Sequence, residues 1–405
     1  MTRNESRPPA PFRRGVAAAA VLLGLLGGFL IAEAAVRLTL RYNSPATVRA
    51  HSLQYLPAVY ARHRLKPGQD FDAGLAWGPP PPGTPSGPRI AVNERGLRGT
   101  PVAVPKPAGT VRIVVLGGSS VFDIHASEGE DWPHLAGARL REGGHPEAEV
   151  LNTGIPGHAS ADSLGRLATQ IWMLEPDYVL LVHGWNDLKL LGRIDPDHPL
   201  LARQAPYDPR ADPFQNDRGP LDRLLQSSQL YVKLRTRYFQ SRVAPGTEGA
   251  LGEDRGAAGL DWAWGERQFR IDLALLAETC RAIGARPVFV TEATLVTADA
   301  DEEARARIQY DYVGFDHPTL VRAYALFNDA VRAVGRERGV PILDLDRALS
   351  GRKQLFADHV HTNAEGSRAL ADAAAAWLER ALEAGSAAAP VALPGAPVND
   401  RITRP

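Results

Sequence analysis

From Val111 onward, short apolar runs alternate with longer stretches in which apolar residues recur every three or four positions. Short continuous runs are typical of strands buried on both faces, and the three-to-four spacing is typical of helices with one apolar face. Strand and helix in alternation predict a parallel sheet with helices on both sides. We therefore expect an α/β fold, a three-layer α/β/α sandwich around a central, mostly five-stranded parallel sheet.

Five strands and five helices account for this alternation. The strands are predicted at 111–116, 149–152, 178–183, 286–291 and 340–345. The helices are predicted at 132–141, 164–174, 269–283, 320–338 and 367–384. Asp131 has the position of an N-cap with Pro133 in the first turn, and Cys280 falls within a helix, where we expect a buried thiol.

The N-terminus has a different pattern. An uncharged run at 15–32 follows a flank that contains four arginines. Its 18 residues would form a helix of roughly 27 Å, close to the thickness of a bilayer core. The basic flank favours a cytoplasmic N-terminus and a periplasmic or extracellular remainder, with the run as a retained membrane anchor. A cleaved signal peptide is the alternative, since Ala32-Glu33-Ala34 resembles a cleavage site.

The changes in pattern divide the chain into four parts. Residues 1–43 contain the basic flank and the anchor. Residues 44–110 have too few apolar positions to fold alone, so this loop- and strand-rich extension is expected to pack on the main domain. Residues 111–385 are that domain, with an insertion at 190–265 that could form a lid, a spacer or a partner surface. Residues 386–405 are expected to form a disordered tail.

Composition excludes some classes of function. The 405 residues are 44% hydrophobic and 23% charged, which is ordinary for a globular protein, and the formal net charge is zero. Nothing in this balance favours nucleic-acid binding. The single cysteine excludes an internal disulfide and a cysteine metal cluster.

Four short segments carry candidate chemistry, and three of them follow predicted strands. They are Val-Leu-Gly-Gly-Ser at 115–119, Asn-Thr-Gly-Ile-Pro-Gly at 152–157, Gly-Trp-Asn-Asp at 184–187 and Asp-His-Val-His at 358–361. Ligand chemistry in parallel sheets lies at the carboxyl ends of the strands. Together the segments supply a hydroxyl, hydrogen-bond donors, and an imidazole with a carboxylate, which are the parts that acyl transfer requires.

Within these segments, five residues are the candidates. Ser119 is the candidate nucleophile, His361 its general base, and Asp358 the carboxylate that orients the imidazole. The backbone N–H groups of Ser119 and Gly157 and the side-chain amide of Asn186 are the candidate oxyanion-hole donors.

Each segment alone has a simpler interpretation. Gly-Gly-Ser-Ser-Val could be a phosphate-binding loop, but it lacks both Gly-x-Gly-x-x-Gly and the lysine of a P-loop, and Val121 excludes a Gly-x-Ser-x-Gly elbow. Gly157 could form a plain turn and Asn186 a helix N-cap. Asp358 and His361 could form a capped loop.

His359 and His361 form a His-x-His pair, which can bind a metal ion. No carboxylate–histidine helix motif accompanies the pair, so we predict no metal ligands.

In their order and residue types, the four segments resemble the blocks of the SGNH hydrolases, the GDSL-like lipase/acylhydrolase family. The resemblance extends over about 111–382. Gly118 stands where many members carry Asp, and this Gly-Gly-Ser variant, like the Asn93-Glu-Arg-Gly-Leu-Arg-Gly stretch, resembles the membrane-anchored bacterial type. The second departure is the bulky Trp185, which could narrow an acyl pocket or stack on a sugar.

The resemblance implies a serine esterase that acts on a small ester or on an acylated glycan or lipid, with neither a metal nor an organic cofactor. Two alternatives stay open. An O-acetyltransferase or deacetylase acting on envelope or extracellular polysaccharide would use the same residues, and a non-enzymatic envelope binding module would use the same fold.

Overall fold

The computed structural model describes residues 10–39, 55–72, 89–192, 194–195, 198–202, 220–225, 228–231, 234, 260–310 and 315–386. The chain divides into two compact units. One contains residues 1–54 and 208–243, and the other contains 55–207 and 244–405. Apart from Ser386, which ends the last helix, the predicted tail at 386–405 lies outside the described residues, as does most of the insertion.

The strands, in chain order, are β1 (Tyr55–Pro57), β2 (His63–Leu65), β3 (Gln69–Asp72), β4 (Arg89–Val92), β5 (Val111–Gly117), β6 (Ala148–Asn152), β7 (Tyr178–Val182), β8 (Ile194–Asp195), β9 (His198–Ala202), β10 (Arg286–Val290) and β11 (Ile342–Leu343). The α-helices are α1 (Ala10–Thr39), α2 (Ser119–Phe122), α3 (Trp132–Glu142), α4 (Ser160–Thr169), α5 (Pro220–Leu225), α6 (Trp262–Ala282), α7 (Glu302–Ala306), α8 (His317–Arg338), α9 (Leu345–Leu349) and α10 (Ala364–Ser386). Within the described residues, 3₁₀ helices lie at Ile171–Leu174, Trp185–Gly192 and Lys353–Leu355.

The central sheet confirms the predicted fold class. It has five strands in the order β11-β10-β7-β5-β6, and every neighbouring pair is parallel. Its strands are buried on both faces: Val114 and Leu116 lie in one apolar cluster, and Ile113 and Val115 in the other. Helices α4, α6 and α8 cover the first face, and α3 and α10 cover the second.

Several element boundaries differ from the sequence prediction. Helix α6 begins seven residues before the predicted start at Phe269, at Trp262, because Asp261 caps its first turn by accepting from the Trp264 N–H. Helix α4 begins at Ser160 and ends at Thr169. The last strand of the sheet is only two residues long. It lies at the edge of the sheet and follows Pro341, which has no N–H to donate to a ladder.

The start of helix α3 and the thiol in α6 agree with the prediction. The Asp131 side chain accepts from the His134 N–H, and a proline lies in the first turn. Cys280 is buried in the core, and burial raises the pKa of its thiol to about 12. The thiol is therefore a packing group rather than a reactive one.

The chain ahead of the sheet forms two antiparallel pairs, β1 with β2 and β3 with β4. Arg98 follows the second pair and is 2% exposed. Its guanidinium donates to the backbone carbonyls of four residues just after β5, namely Phe122, Asp123, Ala126 and Ser127. A single buried side chain thus fixes the loop that follows the first strand of the sheet.

In the other unit, Gly15–Leu38 within α1 is long and apolar enough to cross a membrane, a test that a signal sequence also passes. Glu33 lies near the end of this stretch and accepts from Arg37 one turn later, as the i,i+4 spacing allows. Its carboxylate also accepts from the Ser228 hydroxyl and from the backbone N–H groups of Gln229 and Leu230, at 2.8 Å each. The helix therefore contacts a segment nearly 200 residues later in the chain.

Candidate active site

Ser119 lies where strand β5 of the central sheet ends and the short helix α2 begins. Its Oγ is 2.7 Å from Nε2 of His361, which lies 242 residues later. The tight turn depends on small residues, because a Cβ on Gly117 would lie 2.5 Å from the Val182 carbonyl. The sequence position at a strand end thus places the hydroxyl at the carboxyl edge of the sheet, as expected for this fold.

His361 and Asp358 lie on the loop before α10. Asp358 Oδ2 is 2.7 Å from His361 Nδ1, while its Oδ1 accepts from the N–H groups of Val360 and His361 at 3.0 and 2.8 Å. The carboxylate can only accept, so Nδ1 carries the ring proton. Nε2 is then left with a lone pair directed at the Ser119 hydroxyl, which is the arrangement that a general base requires.

His361 and Asp358 each shift the pKa of the other in favour of its charged form. Burial alone would lower the pKa of His361, but the charge and hydrogen bond of Asp358 outweigh it and leave the pKa above the usual 6.5. Burial alone would raise the pKa of Asp358, but His361 and the backbone donors hold it well below its usual range. Asp358 is therefore ionised at neutral pH and stabilises an imidazolium at His361.

Asn186 and Gly157 come from the turns after β7 and β6. The Asn186 amide Nδ2 donates to the His158 carbonyl at 2.9 Å, which joins the two turns. Gly157 adopts φ of 82°, a conformation that favours glycine. A Cβ on Gly118 would lie 2.6 Å from Asn186 Nδ2, so the amide also lies against the serine turn. The structure thus brings the serine, glycine and asparagine turns together at one edge.

Glu292 is a buried residue of this site that the sequence analysis missed. Its Oε1 accepts from the Ser120 hydroxyl and its Oε2 from the Trp185 N–H, both at 2.6 Å. The Glu292 carboxylate can approach the Trp185 N–H only if residue 184 is small, because a Cβ on Gly184 would lie 2.8 Å from Oε2. One carboxyl group therefore links the turn of the candidate nucleophile to the turn that carries Asn186. The sequence feature that could have identified Glu292 is its position two residues after β10, at the same edge of the sheet as the other segments.

Asp187, the last residue of the third segment, bonds to Ser160. Its Oδ1 accepts from both the N–H and the hydroxyl of Ser160, at 3.0 and 2.6 Å, at the start of α4. Burial, together with the nearby carboxyl groups of Asp272 and Glu292, raises its pKa to about 7 even though the Ser160 bonds lower it. Its contacts are those of a buried helix cap.

The Trp185 ring does not present a face to a sugar, so that interpretation of the sequence is wrong. The ring is 4% exposed. It lies against His359, with 3.9 Å between ring centroids, and stacks on Tyr324 at 5.8 Å. The apolar core extends beyond the end of β7, and the indole is part of it.

Potential metal ligands near the site are His125, Asp358 and His361, whose ligand atoms lie within 4.8 Å of one another. Two of the three already bond to each other, and His361 also bonds to Ser119. A metal ion here would compete with that hydrogen-bonded chain. In the His-x-His pair, the ring of His359 packs on Trp185, and its centroid is 5.9 Å from that of His361.

The chain is similar to a known protein family and to several solved structures. The sequence model of the GDSL-like lipase/acylhydrolase family matches residues 115–369. A lipase/acylhydrolase from Enterococcus faecalis is 16% identical over 67% of this chain and 97% of that chain, with a TM-score of 0.39. The psychrotrophic esterase EstA from Pseudoalteromonas sp. is 13% identical over 67% of this chain and 98% of that chain, with a TM-score of 0.38. No curated protein matches this chain.

Proposed function

Because the chain belongs to the GDSL-like lipase/acylhydrolase family and is an ester-acting hydrolase, we propose that Ser119, His361 and Asp358 are its catalytic triad. The observation that carries the proposal is the continuous hydrogen-bonded chain from Ser119 Oγ through the imidazole to the Asp358 carboxylate. Ser119 lies at the start of α2 and Asp358 on the loop before α10, so nothing in the local sequence forces them together.

The reaction follows from these contacts. Ser119 Oγ attacks the ester carbonyl while His361 Nε2 takes its proton. The resulting imidazolium protonates the leaving alkoxide, the C–O bond breaks, and the acyl group stays on Ser119. Water then attacks the acyl-enzyme as His361 takes one of its protons, and the acid leaves as the proton returns to Ser119. Asp358 holds the ring and stabilises its charged form in both halves.

The tetrahedral intermediate carries a negative oxygen that needs donors. We assign these to the N–H groups of Ser119 and Gly157 and to the Asn186 amide, which belong to the three turns that meet at this edge. Removing one such donor costs about 10²–10³ in rate in a serine hydrolase.

Replacing the nucleophile tests the proposal. Ser119→Ala should reduce hydrolysis of p-nitrophenyl acetate and butyrate to background and abolish labelling by a fluorophosphonate, because no hydroxyl remains beside His361. Ser120→Ala is the matched control: its hydroxyl bonds to Glu292, and this variant should still be labelled. Full activity in a folded Ser119→Ala protein would refute the role of Ser119.

Acyl transfer is the second candidate, because water and a sugar hydroxyl can attack the same acyl-enzyme. The apolar helix α1 favours it, since a membrane-held enzyme would face envelope polysaccharide. Incubation with an acetyl donor and polysaccharide would separate the two: acetyl incorporation indicates an O-acetyltransferase, and acetate release from acetylated glycan indicates a deacetylase or esterase. A protein that neither hydrolyses esters nor reacts with the fluorophosphonate would be a binding module instead.

We also propose that α1 is a retained anchor that leaves the catalytic unit in the periplasm or outside the cell. The support is Glu33, whose carboxylate accepts from Ser228, Gln229 and Leu230. Cleavage after Ala34 would remove this acceptor from the folded protein. Mass spectrometry of the membrane fraction should find the intact N-terminus after a salt wash, whereas a mature protein that begins near Ala35 would refute retention.

A further inference from the structure

Residues 60–65, here called the strap, lie over the turn that contains Gly157. The strap precedes the part of the chain that matches the family. Its fit against α4 is close, because a Cβ on Gly165 would lie 1.7 Å from the Tyr60 carbonyl oxygen. Any larger residue at position 165 would displace the strap.

Arg62 ties the strap to both the turn and the helix that follows it. Its guanidinium donates to the Gly157 carbonyl at 2.6 Å and to Asp162 Oδ2 at 2.7 and 2.9 Å. Its backbone N–H donates to Asp162 Oδ1 at 2.8 Å. Asp162 in turn accepts from the Ala159 N–H at the start of α4. The guanidinium is therefore itself fixed by a paired carboxylate.

His63 holds the adjacent peptide group. It is 6% exposed, and its Nε2–H donates to the Pro156 carbonyl at 2.9 Å. Burial lowers its pKa to about 4, so the ring is neutral at pH 7 and carries its proton at Nε2. His158 completes the contact by donating from its Nε2 to the His63 carbonyl at 2.9 Å.

The Pro156 carbonyl and the Gly157 N–H belong to the same peptide plane, and in a trans peptide they point in opposite directions. A donor that holds the carbonyl on the strap side therefore aims the N–H to the other side. Arg62 fixes the next peptide plane through the Gly157 carbonyl. Both planes that flank Gly157 are thus oriented by side chains of the strap.

We propose that His63 and Arg62 are positioning residues of the oxyanion hole, which hold the Gly157 N–H in its catalytic direction. The inference rests on the proposed esterase function. By this proposal, the segment ahead of the family domain affects the rate of the reaction as well as the stability of the fold.

The test compares His63→Leu, His63→Gln and Arg62→Lys, with Arg64→Ala as the control from the exposed side of the same strap. His63→Leu removes the donor, and we expect kcat for p-nitrophenyl butyrate to fall about 10- to 100-fold, since misplacement of a reacting group by about 1 Å can cost about 10²-fold. KM should stay unchanged, and so should the pH at which activity is half of its maximum. His63→Gln, whose amide can replace Nε2–H, should recover most of kcat.

Arg62→Lys provides a second variant if His63→Leu does not fold. It keeps the charge near Asp162 but cannot bind the carboxylate and the Gly157 carbonyl together, so kcat should again fall while KM holds. The rate of inactivation by a fluorophosphonate, whose oxygen occupies the oxyanion hole, should fall in parallel with kcat.

Unchanged kcat in both strap variants would overturn the proposal, as would a loss of kcat that follows the melting temperature and appears equally in His63→Gln. Failure of the proposed function has a different result: Ser119→Ala would then keep its activity whatever the strap variants do. Arg64→Ala should match the wild type in every measurement.

Discussion

At the scale of single residues, Gly118 occupies the position at which many members of the family carry Asp. The position has no room for a side chain, since a Cβ would lie 2.6 Å from Asn186 Nδ2 and 3.1 Å from the His158 carbonyl. Asn186 and His158 are hydrogen-bonded to each other, so neither can move alone. Glycine here allows the amide to lie directly against the serine turn.

Gly118→Ala should therefore lower kcat by up to about 10²–10³, the cost of losing one oxyanion donor, with a small effect on KM. Because the added methyl group acts through the Asn186 amide, its effect should disappear in an Asn186→Ala background. Kinetics of the four proteins in this cycle would check it. Additive losses would mean that Gly118 acts by another route.

At the scale of elements, the loop before α10 combines two functions in four residues. Asp358 accepts from two backbone N–H groups of its own loop and from the His361 ring. The same carboxylate therefore stabilises the turn and pairs with the imidazole. The next residues start the helix, as Asn363 Oδ1 accepts from the N–H groups of Glu365 and Gly366. The loop is held from both sides.

The loop also predicts a pH profile. In the proposed mechanism His361 must be neutral to accept the serine proton, and its pKa is raised, so activity should fall as pH drops through a midpoint above 6.5. Asp358→Asn should shift this midpoint to lower pH and reduce kcat by about 10⁴-fold, the loss seen for the equivalent change in a serine protease. Rates measured from pH 5 to 9 test both. An unmoved midpoint would mean that another group titrates.

The strands of the sheet could largely be predicted from the sequence, whereas contacts between distant residues could not. Buried parallel strands appear as nearly continuous apolar runs, so β5, β7 and β10 were predictable, and so was the edge at which their ends meet. Glu292 and His63 were not, because their roles depend on partners 107 and 93 residues away in the chain. No periodicity or spacing records such contacts. The two-residue β11 was overestimated because burial beside α8 makes the neighbouring Val340 look strand-like.

At the scale of the whole molecule, two carboxyl groups, one in the proposed triad and one beside it, affect stability in opposite directions. The pKa of Asp358 is lowered, so its contribution is present at neutral pH and is lost in acid. The pKa of Asp187 is raised to about 7 from an ordinary value of 3.8, so the folded protein binds this proton more tightly than the unfolded chain does. Its contribution is full below about pH 4 and is lost as pH rises through about 7.

Asp187→Asn should therefore raise the free energy of unfolding at pH 8 and change it little at pH 4, because the amide cannot ionise. Urea unfolding at the two pH values measures the difference. The exposed Asp299→Asn is the control and should follow the wild type at both. A variant destabilised at pH 8 would show that the Asp187 charge is compensated in the folded protein.

Arg98 has a practical consequence for the design of shortened proteins. A polypeptide that began at Val111 would keep every residue of the proposed triad and oxyanion hole, yet it would lack the guanidinium that four main-chain oxygens share behind the nucleophile. Those oxygens would lose this donor, at about 1–3 kcal/mol for each one that stays buried and unpaired. A soluble enzyme freed of its first helix should accordingly keep the segment that contains Arg98.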